Sequence, residues 1–371
     1  MFIGAFTVAR ASAPQMFGVN LSGGAFGSNI PGTYGTDYIY PGAADFDYYN
    51  GKGLTLIRLP FRWERIQHSL NATLDPTEMG RIDAVVALAH SRGMKILLDM
   101  HNYDGYTISG TGYTVGSTQV PVSAFQNAWG QLAAHYANES AIYGYDLMNE
   151  PINTLANWQP QAQAAVNTIR QYDTTHYVFV EGVNWSGSQT WASSNSTLSV
   201  TDSANLLVYS AHSYWNANHD GSYGANEQGT ATTGVNFAQP FVSWVTSHGY
   251  NGHIGEYGVP NNSNNYLASW ETALDGFLSY LKANNISGTY WSGGPWWGTY
   301  PLSCEPTSNY TVDALQMSVL QNYNNNQITT TETPTMPLWS LALLTFILLI
   351  TAANSSQLYR QGIRQRRAPV R

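Results

Sequence analysis

The chain has 371 residues, of which 43% are hydrophobic and only 10% are charged, whereas a typical soluble domain has about 25% charged residues. Its hydrophobic and aromatic content excludes an intrinsically disordered protein, and its single cysteine, Cys304, excludes an internal disulfide framework. The formal net charge of −8 argues against nucleic acid as a partner, because binding to phosphates needs a basic surface.

The first fifteen residues form a separate N-terminal segment in our division of the sequence. MFIGAFTVARASA ends in small residues, as a secretory signal does, but it lacks a basic start and has only a short apolar stretch. We interpret residues 1–15 as the remnant of an export signal, whose beginning would lie upstream of Met1. An in-frame stop codon just before Met1 would contradict this interpretation.

Eight short apolar runs, rich in residues that favour β-strands, recur along residues 16–325. They are 17–23, 54–61, 95–102, 142–150, 177–184, 206–214, 253–258 and 288–294. Several are almost continuously apolar, which is typical of strands buried on both faces of a parallel sheet. Helical patterns lie between some of these runs, at 78–91, 124–137, 162–172 and 270–283.

Alternating strands and helices in this number predict an α/β fold, a (β/α)8 TIM barrel that occupies residues 16–325. A doubly wound open sheet is the alternative. It is less favoured because no glycine-rich G-x-G-x-x-G turn follows the first strand.

Polar or aromatic residues occur at the carboxyl ends of seven predicted strands, which is the end where TIM barrels carry their active sites. They are Arg58, His101 with Asn102, Asn149 with Glu150, Trp185, His212 with Tyr214, Glu256 with Tyr257, and Trp291. One such residue alone would more often have a structural role. Their recurrence at the same end of successive strands predicts a functional site there.

Glu150 and Glu256 form a pair of carboxylates of the kind that glycoside hydrolysis requires. One carboxylic acid protonates the leaving oxygen, and a second carboxylate attacks the anomeric carbon or activates water. Asn149 is placed to bind a sugar 2-hydroxyl. We expect Tyr214 and Arg58 to keep Glu256 ionised, and we expect His212 to tune Glu150.

Aromatic residues near the strand ends form a second set of candidates, because sugars present apolar faces that stack on aromatic rings. The set comprises Trp185, Trp215, Trp291, Trp296, Trp297, Tyr103 and Tyr106. Among these we assign substrate binding to Trp185, Trp291 and Trp296. Trp63 is instead expected to pack a helix against the barrel.

Other chemistries find no support in the sequence. It contains no HExxH motif and no histidine and cysteine cluster with zinc spacing. The segment GVNWSGS at 182–188 does not form a nucleophile elbow. We therefore predict neither a metal nor an organic cofactor.

The C-terminal region has a composition of its own. A Thr/Pro-rich linker at 326–336 precedes a segment, 337–371, in which residues 337–353 are uncharged and five arginines follow. The uncharged run is close to the lower limit of about 17 residues for a membrane-spanning helix, and a buried core helix is the alternative. The positive-inside rule then predicts the main domain outside the cell. The tail also resembles bacterial C-terminal sorting signals, in which the helix is sometimes cleaved.

Taken together, the motifs of residues 16–325 resemble glycoside hydrolase family 5, specifically the endoglucanases of its fifth subfamily. The resemblance rests on motifs that occur in the family's order: MFGVNLSGGAFG, IRLPFRWERIQ, LLDMHNY, LMNEP, FVEGVNW, AHSYW, IGEYG and YWSGGPWWGTY. It implies that Glu150 is the general acid/base and Glu256 the nucleophile. The other positions that match the family pattern are Arg58, His101, Asn149, His212, Tyr214 and Trp291. Family members vary around Tyr214.

This resemblance implies a retaining endo-β-1,4-glucanase with carboxyl groups about 5–5.5 Å apart. Mannan, xylan or mixed-linkage glucan remain alternative substrates, and a catalytically silent carbohydrate-binding protein is an alternative function. No separate cellulose-binding module is visible in the sequence, which favours soluble or amorphous glucan over crystalline cellulose. We expect an exported monomer, either membrane-anchored or with its tail removed.

Overall fold

The computed structural model describes residues 12–261 and 267–323. Within these residues the chain forms ten strands. They are β1 (Phe17–Leu21), β2 (Leu56–Phe61), β3 (Lys95–Met100), β4 (Gly105–Ile108), β5 (Thr111–Thr114), β6 (Ile142–Asp146), β7 (Tyr177–Glu181), β8 (Leu207–Ser213), β9 (Asn251–Tyr257) and β10 (Ser287–Gly293).

Eight of the ten strands form one closed barrel in the order β1-β2-β3-β6-β7-β8-β9-β10. All the pairings are parallel, and β10 closes the ring by pairing with β1, where Phe17 lies opposite Gly288. These eight strands coincide with the eight predicted apolar runs. The predicted (β/α)8 barrel is therefore confirmed, and the open doubly wound sheet is excluded.

Helices follow most of the barrel strands. They are α1 (Ala43–Gly51), α2 (Trp63–Ile66), α3 (Pro76–His90), α4 (Val122–Tyr136), α5 (Leu155–Ile169), α6 (Trp191–Ser194), α7 (Thr233–His248), α8 (Leu267–Ala283) and α9 (Met317–Leu320), with a short 3-10 helix at Gln321–Tyr323. The start of α3 shows why a helix begins there. Asp75 caps it by accepting a hydrogen bond from the amide of Glu78, and Pro76 occupies the first turn, where its missing N–H costs nothing.

Successive side chains of a strand point to opposite faces, so alternate residues share the barrel interior. Leu56 and Arg58 stand two residues apart on β2, as do Phe179 and Glu181 on β7. Leu56 and Phe179 belong to a small apolar cluster against which Ala13 and Met16 pack. Along both strands, then, an apolar interior gives way to charged groups toward the carboxyl end of the barrel.

The hairpin β4–β5 follows β3, and its antiparallel pairing lies outside the barrel sheet. This hairpin was not predicted from the sequence. It brings Tyr106 into contact with Trp63, whose ring is buried. Trp63, which was expected to pack a helix against the barrel, has its ring against Tyr106 of the hairpin and Phe125 of α4. Tyr106 is a buried packing residue with its hydroxyl bonded to the Gln67 carbonyl.

Two parts of the predicted organisation lie outside the described residues. These are most of the N-terminal segment, 1–11, and the linker and C-terminal segment from residue 324 onward. The predicted C-terminal hydrophobic helix falls in the second part. Among the helices that the structure describes, none combines the length and the apolar character that crossing a bilayer requires.

Candidate active site

Glu256, in the penultimate position of β9, lies at the carboxyl end of the barrel and is almost fully buried. Both of its carboxylate oxygens accept hydrogen bonds. Arg58 donates to Oε1 at 2.9 Å, and the Tyr214 hydroxyl donates to Oε2 at 2.8 Å. These two charge-assisted hydrogen bonds fix the orientation of the carboxylate, as a nucleophile requires.

Glu150 lies in the loop that follows β6, four residues beyond the end of the strand. Its backbone is left-handed, with φ of +47°, and its side chain retains 16% exposure. Burial raises the pKa of the Glu150 carboxyl above its ordinary value, although the hydrogen bond with Nδ1 of His212, at 2.8 Å, acts in the opposite direction. A carboxyl whose pKa is raised by burial is suited to act as a general acid.

The two glutamates face each other across a short gap. Carboxylate oxygens of Glu150 and Glu256 and a ring nitrogen of His212 all lie within 4.8 Å of one another. The three side chains could in principle hold a cation. However, His212 Nδ1 already contacts Glu150, and both oxygens of Glu256 already accept hydrogen bonds. The arrangement therefore fits a pair of acid/base groups better than a metal centre.

Arg58 is the centre of the charge network beneath the glutamates and is fully buried. Its guanidinium contacts four carboxylates, those of Asp99 at 3.1 Å, Asp146 at 2.8 Å, Glu181 at 3.0 Å and Glu256 at 2.9 Å. Burial alone would lower the pKa of Arg58, but the surrounding carboxylates raise it well above its ordinary value. The planar five-donor guanidinium can bind all these groups at once, which a lysine ammonium cannot.

Asp99, Asp146 and Glu181 were not among the site residues predicted from the sequence. Each is a fully buried carboxylate at or near the carboxyl end of a barrel strand. A signal for them was present, because an acidic residue within an apolar strand must have a charged or hydrogen-bonding partner when it is buried.

Asn149 is buried and accepts a hydrogen bond from Arg58 through Oδ1, at 2.9 Å. Its Nδ2 has no hydrogen-bond partner within the described part of the chain. This leaves one amide donor beside Glu150 unused by the protein, as the predicted contact with a sugar hydroxyl requires.

His101 and Trp291 form a second pair at the same end of the barrel. Their rings are stacked, with centroids 5.6 Å apart and planes 9° from parallel. Nδ1 of His101 contacts Asp99 at 2.7 Å, which orients the imidazole, and Nε2 lies 3.2 Å from the Tyr103 hydroxyl. The structure thus joins His101 and Trp291 to the Arg58 network through Asp99.

A cavity of about 510 Å³ opens on the Glu150 side of the site. Its lining includes Glu150, Trp185, Gln189, His212, Tyr214 and Asp220. Trp185 is 57% exposed and stands in a run of three left-handed residues, 184–186. The unusual backbone projects a large apolar ring into solvent beside the acid/base candidate, as expected of a sugar-stacking residue.

The other candidate tryptophans differ in their surroundings. Trp215 is buried against Phe277 and belongs to the core, so its position does not suit sugar stacking. Trp297 packs between Phe26 and Tyr300. Trp296 is 49% exposed but does not line the cavity beside Glu150, so its assignment to substrate binding stays a prediction.

The chain is similar to known proteins over most of its length. Residues 9–296 match the family described as Cellulase (glycosyl hydrolase family 5). The chain is 33% identical to Endo-beta-1,4-glucanase B of Aspergillus niger over 321 residues, which cover 85% of this chain and 92% of that protein.

Two solved structures illustrate the similarity of the fold. Endoglucanase Cel5A of Pseudomonas stutzeri, in complex with cellobiose, is 38% identical, with a TM-score of 0.80 over 86% of this chain and 94% of that chain. The endo-beta-1,4-glucanase Xac0029 of Xanthomonas axonopodis pv. citri is 33% identical, with a TM-score of 0.76 over 84% of this chain and 99% of that chain.

Proposed function

The chain belongs to glycosyl hydrolase family 5, and from this premise we propose that it is an endo-β-1,4-glucanase that hydrolyses internal bonds of cellulose or related β-glucans. The observation that carries the proposal is the pair Glu150 and Glu256, with oxygens within 4.8 Å of each other and different partners. The relatives named above as endo-β-1,4-glucanases support the choice of glucan over mannan, xylan or mixed-linkage glucan.

The short separation supports a retaining mechanism, because an inverting pair stands about 6.5–9.5 Å apart to admit a water molecule between them. In the first step Glu256 attacks the anomeric carbon while Glu150 gives its proton to the glycosidic oxygen. The carbon–oxygen bond to the leaving sugar breaks and a glycosyl–Glu256 ester forms. In the second step Glu150 takes a proton from water, the water oxygen bonds to the anomeric carbon, and Glu256 is released.

The remaining site residues have roles that follow from their contacts. Arg58 and Tyr214 hold Glu256, and His212 contacts Glu150. Asn149 offers its free amide to the sugar in the subsite that contains the anomeric carbon. Trp185 and Trp291 supply apolar faces to neighbouring sugar rings, and His101 sets the orientation of Trp291 by stacking on it.

The test is the release of reducing sugar from carboxymethyl cellulose by the wild-type protein, Glu150→Ala and Glu256→Ala. We expect both variants to lose at least roughly 10²-fold in turnover, the lower range for acid/base catalysis. Added azide distinguishes the two roles. In Glu150→Ala it should attack the glycosyl–Glu256 ester and give a β-glycosyl azide. In Glu256→Ala it should replace the missing nucleophile and give an α-glycosyl azide. Near-wild-type activity in either variant would contradict the assignment, and an inactive wild-type protein that still binds glucan would indicate a binding protein.

We also propose that the barrel acts outside the cell as a monomer, held at the membrane or released after processing of its tail. The support is the substrate, a polymer that does not cross membranes, and the composition of 337–371, an uncharged run followed by arginines. Fractionation of cells expressing the full chain or a chain ending at Met336 tests the location. Equal distribution of the two between membrane and soluble fractions would contradict anchoring, and sedimentation of the released domain tests the monomer.

A further inference from the structure

We propose that Glu181, the last residue of β7, is a positioning residue that holds the acid/base Glu150 ready for proton transfer, through its backbone and through His212. This inference rests on the proposed function. Glu181 is fully buried, and both of its carboxylate oxygens accept hydrogen bonds. Oε2 accepts a hydrogen bond from the amide of Glu150 at 2.7 Å, and Oε1 accepts from Nε2 of His212 and from Arg58, both at 3.0 Å.

The first effect of Glu181 is on the backbone of Glu150. A left-handed φ in a residue other than glycine is disfavoured and persists only when surrounding contacts enforce it. Pro151 follows directly and restricts the backbone of Glu150 further. The bond from the Glu150 amide to a buried carboxylate is of the stronger, charge-assisted kind, and it fixes the peptide that aims the side chain toward Glu256.

The second effect concerns the proton on His212. Burial alone would lower the pKa of this imidazole, but the carboxylates of Glu181 and Glu256 more than reverse that effect and raise the pKa well above its ordinary value. Each ring nitrogen also faces a carboxylate oxygen, Nδ1 at 2.8 Å and Nε2 at 3.0 Å, and from this geometry we infer that His212 carries protons on both nitrogens. Nε2–H donates to Glu181, and Nδ1–H donates to Oε1 of Glu150.

This pattern determines which oxygen of Glu150 carries the transferable proton. Because Oε1 accepts from His212, the acidic proton resides on Oε2. Oε2 has no hydrogen-bond partner among residues 12–261 and 267–323. Glu181 thus acts as the counterion that keeps His212 a donor, and His212 in turn leaves the Oε2 proton free for the glycosidic oxygen.

Other titratable groups face this trio from every neighbouring strand. They are Arg58 on β2, Asp99 on β3 with Tyr103 after it, Asp146 on β6, Tyr214 after β8, and His253 and Glu256 on β9. A Glu181 variant keeps all of these residues, but Arg58 loses one of its four carboxylate partners and Asp146 loses a neighbouring carboxylate. A change that acts through Arg58 on the nucleophile Glu256 would slow substrates with good and poor leaving groups alike, whereas a change in Glu150 would slow only the substrate that needs the acid.

The test uses Glu181→Gln and two aryl β-cellobiosides that differ in leaving group. A 2,4-dinitrophenolate leaves without protonation, whereas a phenolate needs the acid. We expect kcat/KM for phenyl β-cellobioside to fall roughly 10²-fold, in the lower range of acid catalysis, and kcat/KM for the dinitrophenyl substrate to fall less than about fivefold. Nitrogen-15 NMR should also show the imidazolium of His212 deprotonating at lower pH than in the wild-type protein.

Glu64→Gln is the matched control. Glu64 is likewise buried and accepts from a backbone amide, that of Thr107 at 2.7 Å, and from a side chain, that of Asn102. We expect Glu64→Gln to change kcat/KM for the phenyl and the dinitrophenyl substrate by the same factor. Equal slowing of both substrates by Glu181→Gln, or an unchanged His212 titration, would overturn the proposal.

Glu181→Asp is the second variant if Glu181→Gln does not fold. It keeps the charge but shortens the reach, so we expect the His212 imidazolium to persist and phenyl β-cellobioside alone to be slowed. The absence of any difference between the substrates would again overturn the proposal. Failure of the proposed function is recognised separately, because Glu150→Gln would then show no difference between the two leaving groups.

Discussion

Tyr214 donates a hydrogen bond to Oε2 of Glu256 at 2.8 Å, on the opposite oxygen from the one that Arg58 contacts. The carboxylate is therefore held at both oxygens by groups from β2 and from the segment after β8. Because Glu256 is the attacking group in the proposed reaction, these two donors control its orientation toward the anomeric carbon.

Replacing Tyr214 by phenylalanine removes one of these donors and leaves the ring in place. We expect kcat to fall roughly 10- to 100-fold, since a hydrogen bond to a charged group contributes about 1.5–3 kcal/mol. Steady-state kinetics on carboxymethyl cellulose measures the effect. Tyr172→Phe, at an exposed ring, is the control and should retain its rate. Equal rates in Tyr214→Phe and the wild-type protein would show that the contact does not affect catalysis.

Arg58→Met should destabilise the barrel strongly, because four carboxylates lose their shared cation at once. Removal of one partner from a buried ion pair costs about 3–5 kcal/mol. Urea unfolding followed by tryptophan fluorescence gives the free energy of unfolding. Arg92→Met removes an exposed pair with Asp47 and should cost only about 0–1 kcal/mol, so similar losses in the two variants would be evidence against the network.

Trp185→Ala should weaken substrate binding without affecting stability, because the ring is more than half exposed beside Glu150. Covering about 60 Å² of apolar surface contributes about 1.5 kcal/mol, which corresponds to a rise in KM of roughly tenfold. The measurement is KM for cello-oligosaccharides, together with the midpoint of thermal unfolding. Leu315→Ala alters another exposed apolar side chain outside the cavity and should leave KM unchanged. An unchanged KM in Trp185→Ala would exclude stacking.

The buried carboxyl of Asp104 should make the free energy of unfolding depend on pH. Burial raises the pKa of its carboxyl from 3.8 to about 7. A raised pKa means that the folded state prefers the protonated acid, so this group favours folding below pH 4 and progressively less as the pH rises to 7. Asparagine does not titrate. Between pH 4 and 8 the free energy of unfolding of the wild-type protein should therefore fall relative to Asp104→Asn, by on the order of 3 kcal/mol.

Urea unfolding of both proteins at several pH values measures this difference. Asp47→Asn serves as the control. The hydrogen bond from Arg92 lowers the pKa of the exposed Asp47 carboxyl, so its effect on stability is lost only as the pH falls below its unfolded pKa of 3.8. The difference between the wild-type protein and Asp47→Asn should therefore stay nearly constant between pH 4 and 8. Parallel curves for the wild-type protein and Asp104→Asn would show that Asp104 is ionised in the folded protein throughout this range.

Much of the fold could be predicted because buried parallel strands leave a strong signal. Apolar runs such as 177–184 coincide with barrel strands. Helix α7 was missed because Pro240 and several threonine and serine residues weaken its pattern, although apolar contacts of Phe241 and Val245 stabilise it in the fold. The hairpin β4–β5 is short and rich in glycine and threonine, so it has no apolar run of its own.

The site was only partly predictable, because sequence position gives the end of the strand but not the direction of each side chain. Trp185 and Trp215 both follow strands, yet one is exposed beside Glu150 and the other is buried against α8. Whether each ring is exposed or buried depends on the local backbone conformation and on helices that are distant in the sequence. Glu181 was missed because its partners, His212 and the amide of Glu150, are joined to it only by the closed sheet.

The guanidinium of Arg58 takes its partners from β3, β6, β7 and β9, strands that meet only in the finished ring. Arg58 and Glu150 lie in the first half of the barrel sequence and Glu256 lies in the second, so we expect that neither half alone turns over substrate. During refolding, the first product should form only after strands from both halves have paired, later than the recovery of helical circular dichroism. The return of activity during refolding should therefore report when the barrel has closed.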